Sequence, residues 1–191
     1  MSLYTVLLFA HIVAAVTWIG GASFVQLFGI RASRTGEARR IEFLNDVAWI
    51  GQRVLTPAVL LTLAAGIGLV LEGGWGFAQD WVIIALALFG VALAAGFGYF
   101  GPEMERLQKL VGGAGGITAQ IERRAHRLTL IGRIELGLLY LILFDMTVKP
   151  QFADTAAIVA GLGGMALWTA LMIRLTRAPQ ARGRALAVAA E

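Results

Sequence analysis

The segment LLFAHIVAAVTWIGGASF, residues 7–24, is an apolar run that carries a single ionisable side chain, His11. A helix that crosses a membrane needs about 20 largely apolar residues, because each residue adds about 1.5 Å and the hydrocarbon core is about 30 Å thick. The apolar run extends over residues 3–30, and no positive charge precedes it as in a signal peptide. The segment therefore predicts a membrane span, within which His11 needs an explanation.

The same composition continues along the whole chain. Hydrophobic residues make up 58% of its 191 residues, and the mean hydropathy is +0.76. Backbone groups in lipid must be hydrogen-bonded within the protein, so these apolar runs are helices rather than open strands. The sequence predicts an all-α fold, a polytopic membrane helical bundle with a four-helix core plus one helix, in a single domain over residues 1–191. The five predicted transmembrane helices cover residues 3–30, 54–71, 81–100, 128–147 and 156–173.

The positive charges are distributed unevenly between the two sides of the predicted bundle. Fifteen of the sixteen Lys and Arg residues lie after the first, third and fifth spans or at the start of the fourth, and Lys149 alone lies on the other side. The positive-inside rule then predicts an amino terminus outside and a short basic cytoplasmic tail over residues 174–191. Basic loops beside spans attract anionic headgroups, so the expected partner is the lipid bilayer, with no nucleic acid. The chain has no cysteine, which excludes disulfides and thiolate metal sites.

Two further patterns indicate how the helices continue and pack. The basic loops contain TGEARRIEFLNDVAWIGQR (35–53) and TAQIERRAHRL (118–128), whose apolar residues follow helical spacing, so both loops are predicted to be partly helical. Small residues recur four apart on three spans, which predicts close helix packing and a homo-oligomer or a complex with another membrane subunit. The three rows are Ala58, Thr62, Gly66; Gly90, Ala94, Gly98; and Ala156, Ala160, Gly164.

Four ionisable side chains lie within the predicted spans, where such groups are costly and mark candidate functional sites. At about 1.5 Å per residue from the span centres, His11 lies ~6 Å and Asp145 ~10 Å toward the outer side, and Glu135 ~4 Å toward the inner side. His11 and Asp145 are therefore predicted to lie at similar depth, where the carboxylate would orient the imidazole. Arg133 points about 200° away from Glu135 around the helix and is predicted to reach the inner interface. Glu135 is expected to be protonated, paired with an arginine such as Arg53, or exposed to a water-filled cavity.

One face of the first helix brings His11 into line with an indole. The residues on this face are His11, Ala15, Trp18 and Ala22. The small residue between the imidazole and the indole leaves room for a flat ligand and equally for a neighbouring helix. Three roles for His11 stay open: an interhelical hydrogen bond, contact with a cofactor or a metal ion, or proton handling. In the second role the candidate cofactor-binding residues are His11, Trp18 and Asp145, and His11 is also the candidate metal ligand.

Four motifs in order carry a family resemblance. A histidine precedes VAAVTWIGG (13–21), and RVLTPAVLLTLAAGIGLV (53–70), YFGPEMERLQKL (99–110) and DMTVKP (145–150) follow. Together they resemble the bacterial predicted integral membrane proteins called domain of unknown function 2269, over residues 1 to about 150. We expect a location in the bacterial cytoplasmic (inner) membrane.

The opening motif is also similar to membrane proteins of the copper-resistance D type and of the haem-dependent protoporphyrinogen oxidase type. In the latter a first-helix histidine ligates haem b, which the resemblance implies here for His11 alone. His126, the other histidine, lies ~18 Å toward the inner side, so one chain cannot bind a haem iron through both. A second histidine ligand would have to come from another protomer or another protein.

These observations favour a membrane redox or metal-homeostasis component in which His11 contacts haem b, a metal ion or a quinone, with Trp18 and Asp145 shaping the pocket. Two alternatives belong to other classes. One is a small proton-coupled transporter in which Glu135, His11 and Asp145 form a polar path. The other is a non-catalytic assembly or partner subunit whose small-residue faces bind other helices. The sequence assigns no catalytic residue.

Overall fold

The computed structural model of the chain describes residues 1–114 and 116–188, with side chains described as far as residue 176. All regular structure in this part of the chain is helical, which confirms the predicted fold class. The elements are α1 (Leu3–Ala32), α2 (Glu37–Ile50), a first π turn (Gly51–Leu55), α3 (Thr56–Glu72), α4 (Asp80–Ala95), a second π turn (Gly96–Phe100), α5 (Gly101–Ala114), α6 (Ala119–Val148) and α7 (Thr155–Val188).

The two π turns make continuous helices of α2 with α3 and of α4 with α5, so the described residues form five long helices. Four of the described helices are long and apolar enough to cross a membrane: Leu3–Ala32, Glu37–Glu72, Asp80–Ala114 and Thr155–Thr176. The predicted fourth span lies in α6, which carries three charged residues in its apolar part. Length and composition therefore support four membrane-spanning helices, and the predicted count of five is not established by them.

The helices extend past the predicted spans at the end of the bundle that carries most of the arginines, here called the basic end. Both basic loops are largely helical, as predicted. The non-helical residues between α1 and α2 are 33–36, and residues 116–118 precede α6. A second small core explains this extension, because Leu107 of α5 packs with Ile121 and Leu128 of α6. The predicted tail also begins as helix, since α7 continues to Val188. Residues 189–191 of that tail lie outside the described residues.

Four helices meet at Trp18, which is buried on α1. Its ring packs on Phe89 of α4 with ring centroids 5.1 Å apart, and the same core contains Ala58 of α3 and Leu136 and Leu139 of α6. Burial of one large aromatic side chain among four helices holds them at a common level. The indole thus marks the centre of the bundle.

The opposite end of the bundle is closed by an aromatic cluster. The rings of Tyr4, Trp75 and Trp81 follow one another at centroid distances of 6.2 and 5.3 Å. The ammonium group of Lys149 lies 4.4 Å from the centroid of Trp75 and 5.0 Å from that of Trp81, which is within cation–π range. The aromatic rings and Lys149 are therefore a single structural unit at this end.

Only one of the three rows of small residues packs within the chain as predicted. Ala58 and Thr62 are buried, and Gly66 admits the edge of the His11 ring. The rows on α4 and α7 are exposed, and their glycines have open space where a Cβ would stand. The expectation of close packing is therefore wrong, within one chain, for those two rows.

The last helix, α7, packs on α6 through a tryptophan that lies over a glycine. A Cβ at Gly137 would overlap the ring of Trp168, so only glycine allows this contact. The indole N–H of Trp168 donates to the carbonyl of Arg133 at 2.7 Å. This arrangement agrees with a fifth helix added to a four-helix core.

We predict that Gly137→Ala lowers the free energy of unfolding by about 1–3 kcal/mol, because the rigid ring of Trp168 must move aside. Gly163→Ala on α7 is the matched control, since open space surrounds that position and the better helix propensity of alanine adds up to about 1 kcal/mol. Thermal unfolding of both variants in detergent measures the difference. Equal stability of the two variants would contradict the described packing.

Candidate functional site

His11 is bound to a neighbouring helix. Its Nδ1 lies 2.8 Å from the carbonyl oxygen of Thr62, and because a carbonyl only accepts, Nδ1 carries the proton. The ring edge rests on Gly66, where an added Cβ would lie 3.1 Å from Cε1. Of the three roles predicted for His11, the interhelical hydrogen bond is thus formed. Nε2, the second nitrogen of the ring, takes no part in this bond.

Asp145 is not the partner of His11. The residue is 2% exposed, and neither carboxylate oxygen has a hydrogen-bond partner within the described chain. Lys149, one turn further along, lies instead over the two tryptophan rings of the cluster described above. The prediction that His11 and Asp145 meet is therefore wrong: similar depth does not bring them together, because the imidazole turns toward α3.

Arg133 faces the fifth helix. Its Nη1 donates to the hydroxyl of Thr176 over 3.5 Å, and its carbonyl accepts from Trp168. The predicted separation from Glu135 is correct, since Glu135 lies on the other side of α6, toward the bundle interior. The suggested ion pair between Glu135 and Arg53 is not formed among the described residues, because Arg53 is exposed on the first π turn.

Each π turn is followed by a proline. The first runs GQRVL and is followed by Thr56 and Pro57, and the second runs GFGYF and is followed by Gly101 and Pro102. A proline inside a helix has no N–H and collides with the preceding turn, and a widened turn relieves both problems. The hydroxyl of Thr56 donates to the carbonyl of Gly51 at 2.9 Å, which adds a bond to the first π turn.

The two π turns line one half-open cavity of about 580 Å³. Its wall is formed by α1, α2, both π turns, the starts of α3 and α5, the end of α4 and the middle of α6. The cavity lies between the Trp18 core and the basic end. Ligand pockets for small molecules measure about 300–1,000 Å³. The cavity therefore has the size of a binding site for a small organic molecule.

Two polar groups on this wall lack a protein partner. Glu135 makes no hydrogen bond or ion pair with any described residue, and the side-chain oxygen of Gln26 is buried without a hydrogen-bond partner. Gly132 leaves the space that Gln26 occupies, because a Cβ there would lie 2.5 Å from its Nε2. Buried polar groups without partners are costly in a membrane protein and are typical of functional sites.

The structure thus brings Trp18 and Glu135 to one cavity and separates them from the other predicted site residues. His11, Asp145 and Arg133 do not belong to its wall. No cluster of three or more His, Cys, Asp or Glu side chains suited to a metal ion occurs in the described part of the chain. Sequence reasoning missed Gln26 and the second π turn. The signal was present, because a glycine stands six residues before Pro57 and again before Pro102.

These features define an integral membrane helical bundle with a half-open cavity. A family model described as predicted integral membrane protein, domain of unknown function 2269, matches residues 5–150. The chain belongs to this family, as the motifs of its sequence indicated. No curated protein and no solved structure matches it. The match includes both π turns and all of α6, and α7 lies beyond it.

We predict that Pro57→Ala and Pro102→Ala each raise the free energy of unfolding, because alanine restores an N–H and favours a regular α-turn by up to about 3 kcal/mol. The same change narrows the cavity. Thermal unfolding and amide hydrogen exchange over residues 51–57 and 96–102 measure both effects. Val91→Ala, an exposed truncation on α4, is the control that leaves every backbone N–H in place. A loss of stability in both proline variants would show that packing, and not proline, maintains the π turns.

Proposed function

We propose that this integral membrane protein binds an amphiphilic aromatic small molecule in the cavity between the two π turns. The observation that carries the proposal is the cavity of about 580 Å³ beside Trp18, with the unpartnered Glu135 on its wall. An aromatic wall with few polar groups is the usual lining of a small-molecule site. Of the cofactors expected from the sequence, a quinone agrees best with such a lining, because it needs no metal ligand.

We expect a neutral quinone, 2-methyl-1,4-naphthoquinone, to be retained by the purified protein in equilibrium dialysis. Gly96→Leu should weaken this binding about tenfold or more, because a leucine on the wall would take up space that the quinone needs. A Cβ at Gly96 would meet no atom within 4 Å, so the protein can accept the larger side chain. Gly90→Leu is the matched control on the same helix, with equally open space but away from the wall. Retention no higher than in protein-free micelles would refute the proposed function.

A second proposal concerns haem b, in which His11 would be the contact. The hydrogen bond from Nδ1 to the Thr62 carbonyl supports it, because a backbone acceptor of this kind orients a ligating imidazole and leaves Nε2 available. The residues of one chain do not complete a haem site, since His11 is not on the cavity wall. A haem b would therefore be held between two copies, by one His11 from each, or between this chain and another subunit.

The visible spectrum tests the haem proposal. After haem supplementation, the purified protein should show a Soret band that His11→Ala abolishes and His126→Ala retains, because only His11 is in the predicted site. The absence of a Soret band in the unaltered protein, or its persistence in His11→Ala, would contradict this proposal. The quinone experiment is unaffected by either result.

We further propose a five-span topology in a bacterial inner membrane, with the amino terminus outside and the basic end in the cytoplasm. The distribution of positive charge supports it, since Lys149 stands apart from the fifteen other cations. The natural chain has no cysteine, so Gly74→Cys and Thr35→Cys each introduce a unique thiol. A membrane-impermeant maleimide should label the first in intact cells and the second only after lysis. Labelling of Thr35→Cys in intact cells, and of Gly74→Cys only after lysis, would show the opposite topology.

A further inference from the structure

The ionisable side chains on the cavity wall are all acidic. They are Glu105, which is exposed, and Glu135, which is half-buried, and no Lys, Arg or His lies among the lining residues. The chain as a whole has 16 Lys and Arg residues and a net charge of +4. The acidic character is therefore local to the cavity and opposite in sign to the whole protein. A concave site of one sign concentrates ligands of the other sign.

Of the arginines near this wall in sequence, Arg53 is exposed on the first π turn, and three others contact groups away from Glu135. Arg133 reaches away from Glu135 to the hydroxyl of Thr176 on α7. Arg106 and Arg124 both contact Glu103, at 3.6 and 2.6 Å. No described cation pairs with Glu135, although a carboxylate inside a membrane bundle is costly without a positive partner. The described residues supply no such partner, which leaves this place for a ligand.

The remaining lining is suited to a cation that is itself apolar. Four aromatic rings, Trp18, Phe43, Phe97 and Phe100, belong to the wall, and aromatic faces attract cations. The unpartnered oxygen of Gln26 is a further electron-rich group, which accepts but does not donate. Aromatic area, an acceptor oxygen and an unpaired carboxylate together match a hydrophobic positive ion better than a neutral or negative molecule.

We propose that the ligand of the cavity is a monovalent lipophilic organic cation, with Glu135 as its counter-ion. This inference rests on the proposed binding function and adds the charge of the ligand to it. Glu105 at the wall's exposed side guides the cation by its charge, and Glu135 neutralises it between the π turns. The aromatic rings contact its apolar groups.

Tetraphenylphosphonium and tetraphenylborate are nearly equal in shape and opposite in charge, so they test this proposal directly. Equilibrium dialysis in non-ionic detergent measures how much of each ion the protein retains beyond protein-free micelles. The difference between the unaltered protein and Gly96→Leu gives the part that is bound in the cavity. We expect the cation to bind at least about tenfold more tightly than the anion. Glu135→Gln should weaken binding of the cation by about tenfold and leave binding of the neutral quinone unchanged. Asp145→Asn is the matched control, because it removes a different carboxylate of α6, one that does not belong to the wall.

The possible results separate the two proposals. If the cation, the anion and the quinone bind alike and Gly96→Leu displaces all of them, the cavity binds small molecules but its selectivity for cations is refuted. If none of the three is retained, both proposals fail. Equal weakening by Glu135→Gln and Asp145→Asn refutes the counter-ion role of Glu135. The comparison of the two ions needs only the unaltered protein and Gly96→Leu, so it stands even if Glu135→Gln fails to fold.

Discussion

A proline has no backbone N–H, and the interior of this protein depends on that fact at two places. Pro57 and Pro102 each interrupt the regular hydrogen bonding of a long helix, and the turn before each is a π turn. A π turn is wider than an α-turn, so the side chains after it are rotated relative to those before it. Both wide turns line the same space, and the cavity lies beside them.

Arg133 and Glu135 lie on different faces of α6, and only the negative one lies on the wall of the cavity. The face of α6 toward α7 carries Arg133, and its face toward the cavity carries Glu135. At the basic end several arginines pair with local carboxylates, as in the contact between Arg40 and Glu122 at 3.0 Å. Ion pairs near the surface contribute little stability, so their main effect is on position. They hold positive charge at the basic end and away from the cavity wall.

Much of the fold was predictable, because lipid permits few alternatives. The helical class, the helical loops and the added fifth helix follow from hydropathy, periodicity and charge. The pairing of His11 was not predictable in the same way, because depth along an axis does not say which neighbour an imidazole faces. The cavity depends on rotation of whole helices by the π turns, and a regular 3.6-residue period placed on the sequence misses that rotation. Glu135 was predicted from the sequence as a candidate site residue, and its place on the cavity wall could be seen only once the helices were arranged in space.

The glycine beneath Trp168 also bears on how the protein is made. A ribosome delivers the chain from its amino terminus, so α6 is complete before α7 has emerged. During that interval the groove at Gly137 has no occupant, and the carbonyl of Arg133 still lacks its indole donor. The helix α7 thus joins the bundle after the residues of the family match have been synthesised. Its docking on α6 waits for the indole ring of Trp168 to be made.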